Sequence, residues 1–202
     1  TRTHATGTVT SIASGVQSYI GGLVGYNDGT PILSSYATGD ERKTSGTSSY
    51  SGGLVGINIG TIRDSYATGS VTNSSTAGGQ VGYNEGSISN AYATGQVGNA
   101  DADTVGGLIG QNSGTLSKVY ATGSVTGTSK VGGLIGNNDG AAVTQAYATG
   151  AVTGGNTDVG GLIGLSWGAV TASYWDTETT GQASSAGGDG VVGLTTAQAR
   201  DK

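Results

Sequence analysis

A block of roughly 27 residues recurs along this chain, and a unit that short cannot bury a core of its own. Its clearest marker is a tyrosine, at Tyr36, Tyr66, Tyr92, Tyr120, Tyr147 and Tyr174, with spacings of 30, 26, 28, 27 and 27 residues. The first five continue as Ala-Thr-Gly; the sixth continues as Trp175-Asp176. A partial unit, His4-Ala5-Thr6-Gly7, opens the array with histidine in the tyrosine place. Upstream of each tyrosine lies Gly-Gly-Leu-Val/Ile-Gly, at 21–25, 52–56, 106–110, 132–136 and 160–164, with Gly-Gly-Gln-Val-Gly at 78–82. Two residues further stands Asn27, Asn58, Asn84, Asn112 or Asn138, with Ser166 in the last copy, and glycine follows two residues later. Such a unit closes its core only by stacking on its neighbours.

Composition narrows the choice of stack. Glycine supplies 41 of 202 residues, proline one, and Phe, Met and Cys none, with 34% hydrophobic and 10% charged residues. Gly and Thr at this density disfavour helix, and the absence of a Gly-X-Y period with abundant proline excludes collagen. A net charge of −5, with the basic residues scattered, argues against nucleic acid as a partner. No apolar run is long enough to span a membrane in this segment. The opening Thr1-Arg2-Thr3 reads as the interior of a repeat, so we expect a segment of a larger protein.

The expected fold is all-β: a right-handed parallel β-solenoid of six to seven coils, about 4.8 Å apart. Residues 1–175 form the coils, and 176–202 form a closing segment. Each coil is expected to hold three strands. The first covers Gly-Gly-Leu-Val-Gly, the second runs as from Thr61 to Thr68, and the third covers Ser-Val-Thr, as at 124–126. Alternation points the Val/Ile column of the first strand inward, while a Leu column that tolerates Gln80 is either partly exposed or near a corner. If parity holds through Ala-Thr-Gly, Tyr36, Tyr66, Tyr92, Tyr120 and Tyr147, with Thr38, Thr68, Thr94, Thr122 and Thr149, form two outer ladders and a candidate binding face. A bend at Ala-Thr-Gly would instead turn tyrosine inward; the count favours exposure. The asparagines either form a hydrogen-bonded column or accept left-handed turns, or both. The longest insertion, residues 40–50, reads as a solvated loop on one edge.

Catalytic chemistry is sparse. Acidic residues fall mostly one per coil, and His4 is the single histidine, so neither a facing carboxylate pair nor a Ser-His-Asp triad is expected. No cofactor is implied. Asp101 and Asp103, alternating with Asn99, are weak calcium candidates; Asp176 and Glu178 are weaker still. Trp167 and Trp175 fall in the last coil and read as a cap on the open end rather than a sugar-binding pair.

The Gly-Leu-Val-Gly and Ser-Tyr-Ala-Thr-Gly pieces resemble the bacterial GLUG repeat, from residue 4 to about 175. The tail from Tyr174-Trp175-Asp176 through Gly193-Leu194-Thr195 resembles the segment that closes such arrays. The resemblance implies an extracellular bacterial surface protein, often a haemagglutinin-like adhesin, and carries no catalytic residue. The expected function is a non-catalytic adhesive stalk. Its partners would be neighbouring solenoid segments or copies of itself, or host-surface or matrix glycans. A filament of solenoids stacked head to tail is the alternative, and an ice- or carbohydrate-binding face a lesser one.

Overall fold

The computed structural model describes residues 2–12, 17–44, 49–155 and 157–201. One coil shows the plan: strands Thr76–Gly78, Val81–Asn84, Ser87–Ala93 and Val97–Gly98 follow one another around the axis. Each pairs in parallel with its counterparts in the coils before and after. Four parallel sheets, numbered one to four in that order, therefore run along the molecule, three of them six-stranded. Register is set by like residues: Val81 lies opposite Val55 and Ile109, and Tyr92 opposite Tyr66 and Tyr120. The chain is an all-β parallel solenoid of about six turns. Among the described residues no helix is long and apolar enough to cross a membrane.

Four strands per coil replace the three expected, because Gly-Gly-Leu-Val-Gly is not one strand. Sheet one ends on the first glycine, the chain bends at the second glycine and leucine, and sheet two starts at Val/Ile. The bend sends adjacent side chains to the same side. Leu54, Leu108, Leu134 and Leu162 are wholly buried, as are Val55, Val81, Ile109, Ile135 and Ile163. The leucine column does mark a corner, but an inward one. Gln80 fits there because its amide nitrogen donates to the Ser65 carbonyl at 2.9 Å.

Across from that corner lies the Ala of Tyr-Ala-Thr-Gly. A Cβ placed on Gly53, Gly79, Gly107 or Gly133 would stand 3.0, 2.8, 2.9 or 3.0 Å from the Cβ of Ala67, Ala93, Ala121 or Ala148. The two signatures of the repeat thus touch across the interior. The contact divides the core into two clusters. The larger holds the Leu and Val/Ile columns with Ile62, Ile88, Leu116 and Val143. The smaller holds Val71, Ala77, Val97, Val105, Val125 and Val131.

At the C-terminal end the pattern is broken once. Trp175 takes the alanine position, in register with Ala148, and its indole lies over Gly161. It is buried, whereas Trp167 is exposed in a turn, so only one of the two tryptophans covers the core. The tail then meets each sheet. Val191–Leu194 pairs in parallel with Ser173–Asp176 on sheet three. The Ser184 carbonyl accepts from Gly161 N at 3.0 Å, and Ser185 Oγ accepts from Ile163 N at 2.8 Å. Gln182 donates to the Val152 carbonyl at 2.9 Å. Sheet edges that would otherwise recruit another chain are covered there.

Gly107→Ala should be among the most damaging single-methyl changes. It sets a Cβ against Ala121 and against the Gly133 carbonyl, neither of which can move without shifting a ladder. We expect a loss of about 3 kcal/mol or more, measured by denaturant unfolding. The paired change Gly107→Ala with Ala121→Gly should recover part of that loss.

Candidate functional site

The outer face of sheet three is decided by a backbone irregularity just before each tyrosine. Ile62 points inward, Arg63 and Asp64 both lie outside, and Ser65 is inward again. Asp64, Asn90, Lys118 and Gln145 occupy this place with φ of 53°, 50°, 54° and 53°, as do Ser34 and Ala172 at 51° and 47°. A left-handed residue inserted in a strand shifts the alternation by one, as a bulge does. From there parity runs unbroken: Tyr66 out, Ala67 in, Thr68 out, Gly69 in, Val71 in the core. The bend that would turn tyrosine inward is absent from Ala-Thr-Gly. The alanine–glycine contact leaves no room there for a phenol.

The outward rings stack. Tyr36–Tyr66, Tyr66–Tyr92 and Tyr92–Tyr120 have centroids 5.0, 4.9 and 4.9 Å apart and planes within 3°, 4° and 7°. His4 extends the column over Tyr36 at 5.0 Å and 13°. The spacing equals that of the strands, so an in-register column stacks its rings without strain. Each interior ring spends its faces on its neighbours and shows water an edge and a hydroxyl. Tyr92 is consequently held above the usual phenol pKa by burial and by the rings of Tyr120 and Tyr66. Thr38, Thr68, Thr94 and Thr122 stand exposed beside them, and Thr149 is half-buried. Tyr147 is in backbone register with Tyr120, yet among the described residues the ring stack ends at Tyr120.

The asparagines make a second, interior column. Asn27, Asn58, Asn84 and Asn112 each donate from Nδ2 to the next Oδ1, at 2.7, 2.8, 2.9 and 2.8 Å. Asn138 ends it on Ser166 Oγ at 3.1 Å. All five are buried at strand ends, and none is among the left-handed residues. These amides satisfy one another, so the column is structural.

Other candidates are not brought together. Asp101 and Asp103 are exposed, Asp103 accepts from its neighbour Thr104, and Asn99 donates to Asn73. Among the described residues no cluster of three or more His, Cys, Asp or Glu forms. Asp176 instead caps the short helix α1 (Thr177–Thr180), accepting from Glu178 N and Thr179 N at 3.0 and 3.1 Å. Burial would raise its pKa, but the Thr196 hydroxyl and these amides hold it below the usual carboxylate value.

Sequence reasoning missed two groups. Tyr19, Tyr26, Tyr50 and Tyr83 form a looser aromatic cluster, with centroids 5.4–6.3 Å apart, on sheets one and two. Their signal was Tyr19 and Tyr50 sharing one column, Tyr26 and Tyr83 another. The second group lies in the presumed solvated insertion. Residues 45–48 fall outside the described residues, but Glu41–Lys43 is a strand of sheet four. Glu41 and Lys43 point inward and are fully buried, Glu41 in the column that holds Val9 and Val71. Its carboxyl oxygens have no hydrogen-bond partner among the described residues. Burial pushes its pKa up to about 8, against the smaller opposing pulls of Ser51 and Lys43.

Two outcomes follow from this geometry. Glu41 stays protonated in the folded chain where the unfolded chain has ionised it. Stability should be full below about pH 4.5, fall through the interval to about pH 8, and level off above it. At about 1.4 kcal/mol per unit the fall amounts to a few kcal/mol. Glu41→Val, which completes the valine column, should flatten that slope and raise Tm at pH 8 in thermal melts. Replacing Tyr92 and Tyr120 together by Ser removes two stacking contacts of about 0.5–1.5 kcal/mol each. It should lower stability by about 1–3 kcal/mol in denaturant titrations while leaving β-sheet circular dichroism intact.

The GLUG motif family model matches residues 47–72, 101–126 and 127–153, the last two adjoining, within the coils described above. No curated protein and no solved structure gives a significant match. Columns, fold and motif agree, and the chain is a GLUG-motif repeat protein.

Proposed function

We propose that this chain is a non-catalytic, rigid stalk segment of a bacterial surface protein, with an adhesive outer face. The observation that supports it most is continuity. Four sheets, the tyrosine stack and the asparagine column all run through the same coils, so bending the rod at any coil breaks several ladders at once. Repeats coupled in this way act as spacers of set length. The outer tyrosine and threonine columns give that spacer hydroxyl-rich contact surface for glycans or for a neighbouring rod. Among the described residues the acidic groups are dispersed, capped or, at Glu41, buried near Lys43, which supports a role without catalysis. The head-to-tail filament would need an open C-terminal end, and the tail covers the sheet edges there. The single threonine column, flanked by phenols, gives ice little flat hydroxyl array.

Small-angle scattering with electron microscopy on the purified chain tests this reading. Elongated, unbranched monomers are expected at all concentrations, with resistance to added protease. Continuous filaments growing with concentration would replace the stalk by the polymer. Antibody against the chain should label intact cells of the source bacterium; labelling only after lysis would remove the surface assignment.

A further inference from the structure

We propose that the cleft between the last coils and the C-terminal helix α2 (Thr196–Ala199) is a binding site for a neutral sugar ring. The cleft measures about 400 Å³, within the range of small-ligand sites. One wall is the outer face of sheet three, with Gln145, Tyr147, Ala172 and Tyr174; the other is Leu194 and Ala199.

Three features of these residues point to a ligand rather than an accident of packing. Ala172 occupies the left-handed place that Asp64, Asn90, Lys118 and Gln145 fill in earlier coils, with φ of 47°. Alanine is a costly residue there, whereas Asn or Asp accepts the conformation more readily. The small side chain opens space at that point of the cleft wall. Tyr147 is the first ring of its column outside the stack, so its faces are not shared with Tyr120. The opposite wall is held in place before any ligand arrives. Thr195 and Gln198 form a capping box at the start of α2, and Thr196 Oγ1 donates to Asp176 at 2.8 Å. A preformed wall removes part of the ordering cost of binding.

The chemistry of the lining selects the class. Among the described residues no charged side chain lines the cleft, so none of them offers an ion a direct partner. Burial and the nearby Asp176 charge both hold the Tyr147 phenol protonated, and the same charge repels an anionic ligand. The Gln145 amide, with no hydrogen bond among the described residues, and the Tyr147 hydroxyl form a polar rim over an apolar floor. A pyranose offers C–H faces to the floor and hydroxyls to the rim. A plain aromatic ring would make no use of the amide or the hydroxyl at the rim.

This inference goes beyond the stalk reading and stands without it. Saturation-transfer NMR on the intact chain with neutral methyl glycosides tests it, with methyl glucuronide and indole as the competing chemistries. At least one neutral glycoside should bind, with the glucuronide and indole at least tenfold weaker. Gln145→Ala should weaken binding at least fivefold. Ala172→Asn restores the side-chain size of other coils and eases the backbone, so it should raise Tm while abolishing binding. Glu85→Gln, exposed in a turn of an earlier coil and outside the cleft, should bind as the parent does. No signal from any neutral glycoside, undiminished binding by Ala172→Asn, or preferential binding of glucuronide or indole would each overturn the site. The scattering result for the stalk is unaffected by any of these.

Discussion

The approach of one glycine to one alanine across the interior governs the rest of this molecule. Gly53 with Ala67, Gly79 with Ala93, Gly107 with Ala121 and Gly133 with Ala148 bring opposite walls of the coil together with no space for another methyl. A coil pinched in this way cannot hold bulky residues at its waist. Its apolar side chains divide between the Leu–Val/Ile corner and the smaller valine cluster. Neither is a sufficient core alone, so stability comes from repetition along the axis. The absence of Phe and the abundance of Gly and Ala follow from the same thinness.

That pinch also places the chemistry outside. With alanine required at the waist, the residues on either side of it along the strand must face water, and they are tyrosine and threonine. In-register pairing then brings like residue over like at the strand spacing. Phenols stack at 4.9–5.0 Å outside and asparagine amides chain at 2.7–2.9 Å inside. One consequence runs against a simple aromatic platform: an interior ring has no free face. The places able to grip a ring-shaped ligand are where the stack ends, which is why the cleft beside Tyr147 and Tyr174 is distinctive.

The exceptions to the columns behave differently from one another. Gln80 in the leucine corner redirects its amide to a carbonyl and keeps the coil closed. Glu41 in the valine column has no such partner among the described residues and titrates late instead. Trp175 in the alanine column stops the array, because an indole over Gly161 leaves no place for a further coil of the same kind. A single substitution in a repeat can be neutral, costly or terminating, according to which neighbours it meets.

By itself the sequence determined the repeat, the parallel stacking and the identity of every column, because identical residues at constant spacing can only be satisfied by in-register coils. It also determined that Val24, Val55 and their equivalents form one column, and that Asn27 through Asn138 form another. Tertiary structure alone decided where the chain turns. The bend inside Gly-Gly-Leu-Val-Gly exists because the second glycine must reach the alanine of the same coil, a contact between segments that strand alternation does not encode. Likewise, the left-handed residue before each tyrosine is Ser, Asp, Asn, Lys, Gln or Ala, a set with no common side-chain signature. The inward turn of Glu41 and Lys43 was hidden for a related reason. Their charge signals solvent locally, while pairing with the valine strands on either side fixes their direction. The cleft at the C-terminal end depends on where a tail with no repeat folds back, and only the packed molecule brings Leu194 and Ala199 to Tyr147.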